Sequence, residues 1–135
     1  MKAYWTVVHN LLGLLLGYEI PVNVFGAGLR INHKGVLIVH AKVRVGENCD
    51  IHQMVNIGEW GDKDAIPTIG NNVFIGPSAK LFGKITIADN CKVGANAVVN
   101  KSFMKEGTTI VGIPANGIEP KLNSNKVCNN HKYPL

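Results

Sequence analysis

An all-β solenoid, a parallel β-helix of hexapeptide repeats behind a short N-terminal helix, is the fold class this chain predicts. Three observations carry it. The stretch from Ile69 to Met104 divides into sixes that open on Ile69, Ile75, Leu81, Ile87, Val93 and Val99, all aliphatic. Glycine fills the second position three times, at Gly70, Gly76 and Gly94. The fifth position holds Val73, Ala79, Ile85, Cys91, Ala97 and Phe103, all apolar. A short fixed period of this kind marks a parallel β-helix, in which stacked repeats bury a continuous core.

The first element, residues 1–17, is expected to be a helix capping the coil. Trp5, Val8, Leu12, Leu15 and Leu16 recur at three- and four-residue spacing, and Gly17 is a natural stop. A helix over the coil's end would shield strand edges from pairing. The run Leu11 to Leu16 is too short to span a bilayer. Gly17-Tyr18-Glu19 is a poor cleavage site, so no secretory leader is expected.

The solenoid domain is expected over residues 18–115. Its sextets begin at Phe25-Gly26 and continue at Ile31 and Leu37. The frame then slips by two, to Val39, Val45, Ile51 and Ile57, with Val43, Cys49 and Val55 in fifth positions. The slip contains His33, Lys34 and Gly35, which suggests a bulge that re-aims a side chain. From Glu59 to Pro67 the frame would bury Lys63, so this segment is a loop outside the coil. A second break runs from Asn100 to Gly107, and Val111-Gly112-Ile113-Pro114-Ala115 closes the coils. Residues 116–135, rich in Asn and Lys, read as a C-terminal tail or strap. Three sextets make one triangular turn, so residues eighteen apart should stack. Gly58, Gly76 and Gly94 then share a column flanked by Pro77 and Ala95. Either that column is a groove in the wall, or each glycine merely suits its corner's backbone angles.

A chain of 135 residues is one domain by length. Its 14 Lys and Arg against 9 Asp and Glu give +5, scattered without a basic stripe. That argues against nucleic acid and allows attraction of an anionic, nucleotide-bearing ligand. Cys49, Cys91 and Cys128 form no paired framework. Cys49 and Cys91 sit at apolar fifth positions and read as small buried hydrophobes, and the sparse set suits a reducing cytoplasm.

Among five histidines, His9 falls in the helix and His131 in the tail, where solvated side chains are expected. His33 stands at the frame slip beside Asn32 and Gly35, where a regular coil needs no histidine. An imidazole there can take a proton from a hydroxyl as general base. His40 and His52 follow opening aliphatics, as corner residues that either contact substrate or lie on the surface. A three-histidine zinc site is not expected. The spacings, 7 residues from His33 to His40 and 12 on to His52, do not stack on an eighteen-residue turn. There is no serine elbow, cysteine–histidine nucleophile setting or phosphate loop, and Gly26-Ala27-Gly28 lacks the rest of a dinucleotide fingerprint.

From Gly26-Ala27-Gly28-Leu29-Arg30-Ile31-Asn32-His33 the chain resembles the serine acetyltransferases, whose motif is Gly-x-Gly-aliphatic-x-aliphatic-Asp-His. The likeness continues through Gly46-Glu47, Gln53, Val55, Ile57-Gly58, Pro67-x-Ile69-Gly70, Ile75-Gly76, Gly83, Gly94-Ala95-Asn96 and Gly112-Ile113-Pro114-Ala115, about residues 18–118. Ile20-Pro21-Val22-Asn23 looks more like the short relatives found with capsule and exopolysaccharide genes. The resemblance implies a left-handed β-helix, acetyl-CoA as co-substrate without a metal, and homotrimers with active sites between subunits. It makes His33 the base. The substrate-contacting Asp is Asn32 here, and the base's second acidic partner falls at Tyr18, with Glu19 beside it. The family's Arg-His-Pro, which holds the amino acid's carboxylate, reads Ala65-Ile66-Pro67 in a loop shorter by two. The acceptor loop would then be read by Glu59, Trp60, Asp62 and Asp64. Acetyl-CoA would lie along Gly58, Gly76, Pro77, Ser78, Gly94 and Ala95, with Pro77 lacking one N–H donor.

These features lead to an acetyl-CoA-dependent O-acetyltransferase in the cytoplasm, acting on a sugar or similar hydroxyl. The alternatives are a serine O-acetyltransferase of cysteine biosynthesis and a non-catalytic β-helix scaffold or binding module.

Overall fold

The computed structural model describes residues 1–120; Cys128, His131 and the tail beyond 120 lie outside them. Helix α1 spans Lys2–Leu16 and ends at Gly17, whose φ of 74° is left-handed and whose N–H donates to the Gly13 carbonyl. Only glycine adopts that angle without strain, which is why the helix stops there.

Three parallel faces follow. The first stacks β1 (Tyr18–Glu19), β3 (Leu37–Val39), β6 (Asn56–Gly58), β9 (Lys80–Phe82) and β12 (Val98–Val99). The second stacks β4 (Arg44–Val45), β7 (Thr68–Ile69) and β10 (Thr86–Ile87). The third stacks β2 (Arg30–Asn32), β5 (Asp50–His52), β8 (Phe74–Ile75), β11 (Lys92–Val93) and β13 (Thr109–Val111), closed by an antiparallel β14 (Asn116–Ile118). The opening aliphatics point inward from all three faces. Ile57, Leu81 and Val99 from the first, Ile69 and Ile87 from the second, and Ile51, Ile75, Val93 and Ile110 from the third are buried in one core. Each such side chain contributes about 1.5–3 kcal/mol on burial. Where the second face turns into the third, Asn48, Asn72 and Asn90 take left-handed φ values of 55°, 53° and 60°. Their amides form a ladder up that corner, 3.2 and 3.3 Å per rung. Asparagine tolerates the left-handed region better than other side chains, and the ladder satisfies its amide.

The turn length is eighteen where the sextets are regular, as in Phe74 over Lys92 or Lys80 over Val98. It is twenty at the frame slip, where Arg30 pairs with Asp50. It is twenty-four where the loop is inserted, with Asn56 against Lys80 and Asp50 against Phe74. This corrects the glycine column. Gly58 lies on the first face opposite Phe82, whereas Gly76 and Gly94 follow β8 and β11 of the third. The inserted residues shift the phase between them.

Two terminal expectations also change. Residues 116–118 extend the third face as β14 instead of leaving it as a tail. Helix α1 turns most of its apolar residues to the outside, including Trp5 at 63% and Leu14 at 80% exposure. Apolar side chains occur on all its sides, so only a narrow line meets the coil. That line is Gly13 against the Tyr18 carbonyl, where a Cβ would stand 2.6 Å away, and the His9 Nε2–H donating to the Ile20 carbonyl at 2.7 Å.

Cys49 and Cys91 are buried free thiols. Burial pushes the Cys49 thiol up to about 12 and raises that of Cys91 as well. Both should therefore resist a thiol reagent at pH 8 in the native protein and react at once in denaturant. A raised acid group keeps its proton when folded and loses it when unfolded. Stability should thus decline as pH rises past the ordinary thiol range of about 8.5. Rapid native labelling of a Cys49-only variant would contradict this.

Candidate active site

The corner between the third and first faces gathers the chemistry. His33 follows β2 with a left-handed φ of 67°, a conformation uncommon for a side chain of this size. The Tyr18 hydroxyl donates to its backbone carbonyl at 3.2 Å, tying the bulge to β1. Gly35 completes the bulge at φ 148°; a Cβ there would stand 2.9 Å from the Gln53 Cβ. These constraints push the His33 ring outward, where it is exposed.

Parallel pairing then places Asn32 over His52. The His33 and His52 rings come within 5.8 Å, and Phe74 packs on the other side of His52 at 5.1 Å. The twenty-residue turn brings the two histidines together, against the expectation that they do not share a column. Asp50 lies beneath, in an ion pair with Arg30 at 2.9 Å and hydrogen-bonded to the Asn32 amide. Asp50 and Arg30 escaped sequence reasoning, although adding the two-residue slip to an eighteen-residue turn would have found them. Gln53 was visible only as a motif residue, and its buried Oε1 has no hydrogen-bond partner among the described residues. Glu19 makes no hydrogen bond or ion pair with His33 among the described residues.

Pro77, Ser78, Gly94 and Ala95 continue up the same corner. Ser78 N–H donates to the Gln53 carbonyl at 3.0 Å and Asn96 N–H to the Pro77 carbonyl at 2.9 Å. Gly76 is buried, and a Cβ there would stand 2.8 Å from the Ala95 nitrogen. Close approach of two coils therefore explains this glycine.

The family model for the bacterial transferase hexapeptide, six repeats, matches residues 66–101. A serine acetyltransferase of Synechococcus elongatus is 36% identical over 111 residues, 80% of this chain and 45% of that one. One of Helicobacter pylori is 36% identical over 114 residues, 82% of this chain and 66% of that one. The crystal structure of Brucella abortus serine acetyltransferase in complex with coenzyme A aligns with a TM-score of 0.71 at 30% identity, over 87% of this chain and 47% of that one. This chain belongs to the serine acetyltransferase-like hexapeptide-repeat family. It spans between about half and two thirds of the length of these relatives. Its coil is the left-handed parallel β-helix of those structures.

The rest of this serine acetyltransferase-like chain's candidate site lies at another corner. Gly58 and the loop after it join the first face to the second. Glu59, Trp60, Asp62 and Asp64 are all exposed there, Trp60 at 73%. The loop is braced from within and below. The Asp64 N–H donates to Glu59 Oε1 at 2.6 Å, Ala65 N–H to the Asp62 carbonyl at 3.0 Å, and Lys42 pairs with Asp64. That carboxylate raises the Lys42 ammonium above its ordinary value. His40 belongs to this corner too, with Nε2 3.9 Å from Glu59. Ala65 is buried and Ile66 half-buried, so neither offers a charge. The described residues contain no group of three His, Cys, Asp or Glu able to hold a metal, and no helix long and apolar enough to cross a membrane.

Proposed function

We propose that this chain is an acetyl-CoA-dependent O-acetyltransferase with His33 as general base. The observation that carries it is an exposed histidine in a strained bulge, on the same corner as Pro77 and Ala95. His33 takes the proton of the acceptor hydroxyl, and the oxygen attacks the thioester carbonyl. Backbone N–H groups of the wall stabilise the oxyanion. The C–S bond breaks, the imidazolium protonates the leaving thiolate, and an O-acetyl ester and free CoA result.

The relatives' names support L-serine as the acceptor. One observation favours a neutral hydroxyl such as a sugar's. Ala65 and Ile66 supply no cation for a carboxylate, and Asn32 is already committed to Asp50 and His52. The two corners support a homotrimer. Within one chain His33 and the Glu59-to-Ile66 loop stand at different corners, and a neighbouring copy would bring a loop to each His33. A cytoplasmic setting accords with acetyl-CoA and free thiols.

Release of CoA thiol should be followed with L-serine and with a panel of monosaccharides. Acetylation of one class at least tenfold faster than the other assigns the acceptor. Calorimetry showing no CoA binding would overturn the enzyme and leave the scaffold reading.

A further inference from the structure

We propose that His52 is presented at this site as a neutral imidazole with its proton on Nδ1. In this role, which rests on the acetyltransferase reading above, its N–H holds a second oxygen of the acceptor, next to the hydroxyl that His33 activates.

The assignment follows from a chain of donors and acceptors. Arg30 pairs with Asp50, whose carboxylate can only accept. The atom of Asn32 facing Asp50 Oδ1 must therefore be its NH₂. That nitrogen has two hydrogens. The second is available to His52 Nε2, 3.3 Å away. Asp50 Oδ1 lies 3.9 Å from Nε2, beyond hydrogen-bond distance, so the amide hydrogen is the nearer partner; Nε2 accepts it, and the ring proton resides on Nδ1. Nδ1 bonds to none of the described residues. Arg30 and Asp50 offset each other's charge beside the ring, while Phe74 on one side and His33 on the other fix its position. His52 is mostly buried, at 19% side-chain exposure, so its orientation is built into the wall.

This also explains Asn32. An aspartate at this position would face Asp50 with like charge and could not donate to His52. The amide holds a carboxylate and an imidazole with one nitrogen. Asn32 is thus a positioning residue for His52, and the site offers the acceptor two imidazoles 5.8 Å apart. One takes the hydroxyl proton; the other donates to a neighbouring oxygen. That oxygen is either a second hydroxyl of a diol or a carboxylate oxygen of L-serine. Both share the same chemistry, an acceptor atom adjacent to the reacting hydroxyl.

Two-bond ¹H–¹⁵N correlation on the labelled full chain at neutral pH reads the tautomer, with His52→Phe assigning the signal. The Nδ1–H pattern is expected; an Nε2–H or cationic pattern overturns the proposal. Asn32→Asp should move His52 out of the Nδ1–H form, and an unchanged tautomer overturns the role of Asn32. In kinetics, His52→Phe should raise KM for L-serine or for a vicinal diol by about tenfold or more, leaving KM for acetyl-CoA and for a simple mono-alcohol unchanged. His52→Asn, which keeps a donor, should restore much of the loss. A loss confined to L-serine assigns the carboxylate, and one confined to the diol assigns the hydroxyl. An equal loss with the mono-alcohol overturns the contact. Retention of acetyl transfer by His33→Ala would remove His33 as the base, and absence of CoA binding would remove the enzyme reading, but either would leave the measured tautomer standing.

Discussion

Replacing His33 by alanine is expected to lower acetyl transfer by about a hundredfold to ten-thousandfold, the usual contribution of a positioned general base. The effect should fall on kcat. His33 lies on the first turns of the corner, and the coils above it are built by Pro77 and Ala95. Binding of CoA by calorimetry should therefore survive. Thermal stability should change little, because the ring is exposed and its left-handed backbone is a site of strain. Steady-state rates with the acceptor that wild type prefers are the test. Unaltered turnover would remove the base, and a collapse of the melting transition would make the loss a folding effect. His33→Gln separates the two, since it keeps much of the bulk and hydrogen bonding but no basic nitrogen.

Leu81→Ala should be the most damaging single change to the fold, at about 2–5 kcal/mol. Leu81 is fully buried in β9, paired with Ile57 below and Val99 above. Strands from adjacent turns hold their spacing by backbone hydrogen bonds, so the coil cannot collapse onto the missing volume. The transfer and cavity terms then both apply. Chemical denaturation measures it. A loss below 1 kcal/mol would mean that the stack relaxes far more than its hydrogen-bonded faces suggest.

The hexapeptide frame made the core readable residue by residue. The inward aliphatics from Ile51 to Val99 are buried where the sextets place them, and Cys49 and Cys91 are buried with them. The bulge at His33 was legible because irregularity in a regular wall is itself a signal. Gly58 was misplaced because a period tells where residues stack only while the turn keeps its length. The inserted loop makes one turn twenty-four residues long, and everything below it is then out of phase with everything above. The same error hid His52, which a twenty-residue turn lays against Asn32. Asp50 was legible only through the changed turn length, since a lone carboxylate on an outward strand position looks like any solvated charge. The helix was legible as a helix, but its spacing could not tell which of its several apolar sides meets the coil.

The separate corners for His33 and the inserted loop have a consequence for how such a chain can diversify. A solenoid corner is joined to the rest of the molecule only through the hydrogen-bonded turns above and below it. Residues can be added to or removed from the Glu59-to-Ile66 segment while Ile57 and Ile69 keep their partners. Neither the bulge at His33 nor the coils above it need adjust. One corner can thus hold the reaction constant while another drifts in length and composition. On the proposed function, new acceptors would become accessible by loop exchange, without rebuilding the coil.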